Sequence, residues 1–200
     1  FEQAFHEEQV PHSTALHARL HGESYLVGPL ARMNLNQDRL HPRVREALAR
    51  SGIAFPTHNM YRSVVARAAE ILQVLLEAAD LLAGYEATER PSAAVEPRAG
   101  TGHGASEAPR GLLWHRYDVG NDGRVSQARI VPPTSQNQLR IEEDLRLTLP
   151  AVGVDRSDDV LRRAGETVIR NYDPCISCAT HCLRLNVQRS AVGVRSEPAP

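Results

Sequence analysis

The longest run of helical periodicity lies between residues 59 and 83, and it limits how the chain can fold more than any other feature. Apolar side chains recur there at steps of three and four residues, at Val64, Ala68, Ile71, Leu72, Leu75, Ala79 and Leu82. Gly84 follows, and glycine is common just past the end of a helix. The pattern predicts one long, largely buried core helix with no chemistry of its own.

Shorter helices are predicted on both sides of this one. Pro42 occupies a typical first helical position, and the pattern that follows ends at Ser51. The first forty residues predict only weak helices. Residues 136–149 predict a further helix, and Ser157 is a suitable N-cap for the last one. The apolar face of that last helix comprises Val160, Leu161, Ala164 and Val168.

Between these helices the sequence predicts a β-hairpin. Residues 111–119 and 124–131 alternate in polarity, and the Gly-Asn-Asp-Gly segment at residues 120–123 separates them. The preceding stretch, residues 86–105, is rich in Glu, Pro, Ala and Gly and predicts a surface connection. The predicted fold class is mostly α with a small antiparallel β-hairpin or sheet.

Composition excludes several classes of function. The chain has 200 residues, 42% of them hydrophobic, which is enough for an ordinary core. Its 23 basic and 24 acidic residues nearly cancel and form no basic cluster, so a nucleic-acid partner is not indicated. The sequence contains no apolar run of about 20 residues and no signal peptide, which predicts a soluble, unexported protein. A start at Phe1, inside a run typical of a chain interior, predicts a fragment.

The chemistry of the sequence is concentrated in a cysteine cluster. All three cysteines lie between Cys175 and Cys182, too close together for a long-range disulfide framework, which favours metal or redox chemistry in a reducing compartment. Cys175 and Cys178 are spaced to bind one soft or borderline metal, and His181 is a candidate third ligand. Spacing alone leaves a zinc half-site, iron-sulfur ligation and a redox dithiol open. A structural zinc site needs a second ligand pair, which no other cysteine here supplies.

Three motifs together resemble one protein family. The segment Asp173-Pro-Cys-Ile-Ser-Cys-Ala-Thr-His181 resembles the C-terminal signature of nickel-iron hydrogenase large subunits. The segment Glu107-Ala-Pro-Arg-Gly111 with His115, and the segment Val131-Pro-Pro-Thr-Ser-Gln-Asn137, are similar to two further segments of that family, in the family's order. The resemblance covers nearly the whole chain and implies the multi-helical fold of those large subunits.

The resemblance also implies roles for individual residues. Cys175 would bind nickel terminally and Cys178 would bridge nickel and iron, whose other ligands are cyanide and carbon monoxide. Arg110 and Thr134 would donate hydrogen bonds to cyanide, on segments that Pro109 and Pro133 hold rigid. Arg110 would in addition polarise hydrogen, with Asp173 orienting its guanidinium. An alternative for Arg110 and Asp173 is a purely structural ion pair.

The implied activity is the reversible oxidation of H2, with electrons passing through iron-sulfur clusters towards NAD(P). The residues of these motifs are most similar to those of the cytoplasmic, NAD(P)-linked branch of the family. That branch implies an iron-sulfur small subunit and flavin-containing diaphorase subunits as partners. The sequence contains no Gly-x-Gly-x-x-Gly segment, so this chain is not expected to bind the nucleotide itself.

The sequence departs from the family because the N-terminal Arg-x-Cys-Gly-x-Cys motif and an early glutamate are absent. Residues 1–181 are therefore interpreted as the C-terminal part of a large-subunit domain. Residues 182–200 resemble an extension that a maturation peptidase removes, which would leave His181 terminal as a ligand for magnesium or iron. Two alternatives remain: a non-catalytic relative such as the quinone-site subunit of complex I, and a small Cys/His metal-binding module.

Overall fold

The computed structural model describes residues 1–175, and within them five α-helices accompany two small antiparallel sheets. The prediction of a mostly helical fold with a small antiparallel sheet is confirmed. The helices are α1 (Pro29–Asn36), α2 (Pro42–Ser51), α3 (Ser63–Ala83), α4 (Pro133–Val152) and α5 (Asp158–Asn171). The strands are β1 (Phe5–Glu8), β2 (His17–Leu20), β3 (Gly100–Ala108), β4 (Gly111–Val119) and β5 (Val125–Val131).

Local signals place both ends of α2 and the start of α5 correctly. In α2, Pro42 opens the helix, the His41 side chain accepts a hydrogen bond from the Arg43 N–H, and Gly52 ends it at φ 69°. Only glycine adopts this left-handed conformation without steric cost. Ser157 precedes α5 as predicted, and Leu161 and Val168 are buried. None of the helices in residues 1–175 is long and apolar enough to cross a membrane.

Helix α3 forms where it was predicted, but the expectation that it is largely buried is wrong for the described part of the chain. Its buried residues are Ser63, Ala66 and Ala69, all in the first two turns. Large apolar side chains beyond them are exposed, namely Ile71, Val74, Leu75, Leu81 and Leu82. Periodicity reports that a face is apolar, but it does not report what covers that face.

The predicted hairpin is β4 and β5, and β3 extends it to three strands in the order β3-β4-β5. Strand β3 pairs with β4 from Gly100 opposite Val119 to Ala108 opposite Gly111. The prediction that residues 86–105 form only a connection is therefore wrong for residues 100–105. Glycine has low strand propensity, so the pairing edge offered by β4 decides the conformation of this segment.

The prediction of weak helices in the first forty residues is partly wrong. Helix α1 is present, but β1 and β2 pair as an antiparallel ribbon in which Phe5 lies opposite Leu20. The ribbon packs on α4 and shares a core with the larger sheet, formed by Phe5, Ala18, Trp114 and Val131. Helix α4 also packs against α5 and β4, and the residues of its first turn are buried.

Candidate metal centre

The chain that leads to Cys175 leaves α5 and is held by side chains of α3. The Ser63 hydroxyl donates to the Asn171 carbonyl at 2.5 Å, and Arg67 Nη1 donates to the same oxygen at 2.9 Å. Carbonyls in the last turn of a helix have no partner within the helix, so these two donors satisfy one of them. They fix the point from which the cysteine segment departs.

Tyr172 provides the next anchor, against α4. Its side chain is buried and its hydroxyl donates to Asp144 Oδ2 at 2.7 Å, while Arg140 pairs with the same carboxylate. Burial raises the pKa of Tyr172 well above its ordinary value, and the hydrogen bond to Asp144 raises it further. The phenol therefore stays protonated and keeps donating at any physiological pH.

Asp173 lies beside Arg110, as the resemblance implied. Its φ of 49° is left-handed, a conformation that aspartate tolerates better than most residues. Arg110 Nε donates to the backbone carbonyl of Asp173 at 2.6 Å and lies 3.4 Å from its Oδ2. Both side chains are partly exposed, at 39% and 45%, so the pair opens onto the surface of the described structure.

Cys175 is tied to the first turn of α4. Its backbone N–H donates to Thr134 Oγ1 at 3.0 Å, and Thr134 is buried. Pro133 opens α4, and its ring fixes the backbone beside this contact. Cys178 and His181 lie outside the described residues. Four predicted site residues thus meet in two pairs: Arg110 with Asp173, across 63 residues, and Thr134 with Cys175, across 41 residues, a contact that the sequence did not predict.

The turn that carries Arg110 is clamped by Arg32 of α1, a residue that the sequence gave no reason to select. Arg32 forms a two-point ion pair with Glu70 of α3, at 2.8 Å for each contact. The same guanidinium donates to Glu107 at 2.6 Å and to the carbonyls of Ala108 and Pro109 at 3.0 Å each. A guanidinium has five N–H donors in a fixed planar arrangement, so this one side chain can join α1, α3 and the turn.

Close backbone packing fixes the other side of this turn. Gly28 has φ 113°, and a Cβ placed there would lie 2.6 Å from the Arg110 carbonyl oxygen. Gly111 has φ 136°, and a Cβ on it would lie 2.5 Å from Val27 Cγ2. Neither residue can therefore be replaced without moving the backbone next to Arg110.

We expect Arg32→Met to lower the free energy of unfolding by about 1–3 kcal/mol, because it leaves Glu70 and two carbonyls without their donor. The Arg32 and Glu70 side chains are each only 21% exposed. Arg50→Met is the matched control, since its pair with Glu46 is 70% and 67% exposed and should be worth under about 0.5 kcal/mol. Urea unfolding of the purified chains measures both values. Equal losses of unfolding free energy in the two variants would contradict the proposed stabilising role of Arg32.

Gln136 and Asn137 are two buried residues whose part in the site sequence reasoning missed. Asn137 bonds to both the N–H and the carbonyl of Val27, at 2.9 and 3.0 Å. Gln136 accepts from the Tyr25 hydroxyl at 2.9 Å and donates to the Leu112 carbonyl at 2.6 Å. These bonds join α4 to the segments on either side of the Arg110 turn. The sequence signal that could have identified them is the presence of two adjacent amide side chains at the start of a predicted helix.

The comparisons with known proteins agree on one family. The profile of the family described as nickel-dependent hydrogenase matches residues 5–181. Sulfhydrogenase 1 subunit alpha of Pyrococcus furiosus is 35% identical over 178 residues, which are 88% of this chain and 41% of that protein. NAD-reducing hydrogenase HoxS subunit beta of Cupriavidus necator is 33% identical in an alignment of 173 positions that covers 80% of this chain and 34% of that protein.

Solved structures extend the agreement to the fold. An NAD+-reducing NiFe hydrogenase in the H2-reduced state matches with a TM-score of 0.68 and 31% identity, over 90% of this chain and 42% of that one. The Ni-Fe-Se hydrogenase of D. vulgaris Hildenborough in the reduced state matches with a TM-score of 0.65 and 28% identity, over 84% of this chain and 38% of that one.

The chain belongs to the nickel-dependent hydrogenase family, whose members are oxidoreductases. It corresponds to the C-terminal part of the large subunit. It spans about two fifths of the length of the sulfhydrogenase subunit, and a similar share of the NAD+-reducing structure.

Proposed function

We propose that this chain is the C-terminal part of the catalytic subunit of a nickel-iron hydrogenase that carries out H2 ⇌ 2H+ + 2e−. The observation that carries the proposal is that the Asp173–Cys175 segment meets Arg110 and Thr134, from two other parts of the chain, within a family match that covers them all. The non-catalytic relative is less well supported, because both cysteines of the motif are retained.

The residues present fit a nickel-iron centre. A thiolate is a soft ligand suited to nickel and iron, and Cys175 and Cys178 would hold the metals. When bound, the centre supplies the two-electron chemistry of the reaction. Thr134 accepts from the Cys175 N–H and its own O–H can donate at the same time, which suits an anionic cyanide acceptor. Arg110 would supply a second, permanently charged donor, with Pro109 and Pro133 beside the two donors limiting their backbone motion.

Arg110 and Asp173 would act as a unit. Because the Arg110 Nε–H is engaged by the Asp173 carbonyl, its two terminal amino groups are the part of the fork that can face a reacting molecule. The partly exposed Asp173 carboxylate, 3.4 Å from Nε, would orient the guanidinium and attract its charge. A fixed positive charge beside the centre would polarise bound hydrogen without reorganising during the reaction.

The remainder of the large subunit would cover surface that is open here. A groove of about 640 Å³ lies between α1 and α3, reaches Pro109 and Asp173, and is lined by apolar side chains that include Met33, Ile71 and Val74. The first curated relative reported above is more than twice as long as the segment matched here. The missing part would also contribute the second pair of thiolates, because two cannot hold a centre that needs four.

The partners, electron route and location belong to the same proposal. An iron-sulfur small subunit would take the electrons, and flavin-containing diaphorase subunits in the cytoplasm would pass them to NAD(P). The NAD-reducing relatives reported above favour this route. The family profile ends at residue 181, which favours removal of residues 182–200 by a maturation peptidase and a terminal His181 that binds magnesium or iron.

The test uses the enzyme complex purified from cells that make the complete large subunit. We expect hydrogen-dependent reduction of a viologen dye and of NAD+ or NADP+, with nickel and iron present and a large subunit whose intact mass ends at His181. The 200-residue chain alone should show no such reduction. A complex without nickel, or an active chain of 200 residues, would overturn the proposal. An active subunit that retains residues 182–200 would overturn the processing step alone.

A further inference from the structure

A second group of metal-ligating side chains lies away from the cysteine segment. His12, His17 and Glu142 each offer one ligand atom, and these three atoms lie within 4.8 Å of one another. Glu142 is eight residues beyond Thr134, about 12 Å further along α4 at 1.5 Å per residue. None of these residues takes part in the proposed hydrogenase chemistry.

Both histidine side chains are already in contact with the Glu142 carboxylate. Glu142 Oε1 lies 2.9 Å from His17 Nε2, and Glu142 Oε2 lies 3.0 Å from His12 Nε2. Zinc bonds of about 2.0–2.1 Å in a tetrahedron put neighbouring ligand atoms roughly 3.3 Å apart. Each histidine nitrogen already lies close to that spacing from one carboxylate oxygen, and the ligand atoms of all three residues lie within 4.8 Å of one another, so small side-chain movements would bring them around one ion.

The scaffold fixes two of the ligands and leaves the third at the surface. His17 is 3% exposed on β2, and the Glu142 side chain is 16% exposed on α4, against which β2 packs. His12 is 59% exposed and lies in a turn closed by the Ser13 N–H on the Val10 carbonyl at 3.2 Å. The site is thus rigid on its inner side and accessible to solvent through His12.

We propose that His12, His17 and Glu142 form a binding site for a divalent cation of the zinc class. Two imidazoles and one carboxylate are a ligand set that zinc uses with water in the fourth position. Both imidazoles now donate from Nε2 to Glu142, which can only accept when ionised. A metal ion would bind at Nε2 of each ring, and the proton now on Nε2 would move to Nδ1.

Two neighbours define how the empty group is held. Gln138 Nε2 donates to Glu142 Oε1 at 3.3 Å, and Arg146 Nη2 lies 3.6 Å from Oε2. Arg146 is 66% exposed and can move away when a cation binds. The competing explanation is a set of hydrogen bonds that only ties β2 to α4, and it predicts no preference for a metal ion.

The test measures zinc binding to the 200-residue chain with Cys175, Cys178 and Cys182 all replaced by serine, which removes thiolate ligands. We expect one Zn²⁺ per chain by equilibrium dialysis. In that background His12→Gln should weaken binding by at least about 100-fold, since even residues that only support metal ligands are worth about 10- to 100-fold. His12 is the residue to replace because its exposure spares the core. His6→Gln, at an exposed position on β1, should leave affinity unchanged.

A second measurement reports the ligands directly. Nitrogen NMR of the histidine rings should show the proton of two residues move from Nε2 to Nδ1 as Zn²⁺ is added, and only one such residue in His12→Gln. Unchanged ring protonation, or equal affinity in the His12→Gln and His6→Gln chains, would overturn the proposed site. Neither outcome depends on hydrogenase activity, so it leaves the proposed function untouched.

Discussion

Replacing Cys175 or Cys178 by serine in the complete large subunit is expected to abolish hydrogen-dependent dye reduction, whereas Cys182→Ser should leave it intact. A serine hydroxyl does not ionise at physiological pH and is a harder ligand than a thiolate, so it cannot hold nickel in the same site. At Cys175 the anchor to Thr134 is a backbone N–H, which serine retains. The loss should therefore come from the missing ligand and not from a displaced segment.

Nickel content and activity of the purified complexes together measure this result. The two inactive variants should lack bound nickel, while Cys182→Ser carries the normal amount because residues 182–200 are proposed to leave the enzyme during maturation. Full activity in Cys175→Ser, or loss of activity in Cys182→Ser, would show that the cysteine cluster has been assigned wrongly.

Arg110→Lys is expected to leave the metals in place but to lower turnover on the order of 100- to 1,000-fold, the usual loss when one fixed donor is removed from a reacting centre. Arginine can engage Asp173 through Nε and still present two amino groups, while lysine has a single ammonium. That ammonium can remain at Asp173 or reach the centre, but it cannot do both.

The measurement is kcat for hydrogen-dependent dye reduction, normalised to nickel and iron content. Arg124→Lys is the matched control, because Arg124 is 89% exposed in the turn between β4 and β5 and is expected to have no effect. Near-normal turnover of Arg110→Lys with intact metal content would contradict the proposed role and favour a purely structural ion pair with Asp173.

Local sequence was sufficient wherever an element depends on its own periodicity or end signals. Helices α2, α3, α4 and α5 and the β4-β5 hairpin fall close to the predicted bounds. Strand β3 was missed because its glycines give no strand signal, and its conformation comes from pairing with β4. The exposure of most of α3 was also not predicted, since burial depends on what packs against the helix.

For the candidate site too, the sequence identified the residues but not how they are placed relative to one another. The motifs around Arg110, Thr134 and Cys175 indicated the family and the candidate site residues, whose roles remain proposals. Their mutual placement follows from long-range contacts that no local pattern contains. Arg32 clamps the Arg110 turn from 77 residues away, and Asn137 binds Val27 across 110 residues.

The sequence by itself determined the helical class, the hairpin, the cysteine spacing and the family. Only the tertiary structure decided that the Cys175 N–H donates to Thr134 and that His12 and His17 contact Glu142. The physical reason is that periodicity and capping are encoded within a few neighbouring residues. A fork such as that of Arg32, or a three-residue ligand group, exists only when separate elements pack, and its sequence signature is spread over residues with no local relation.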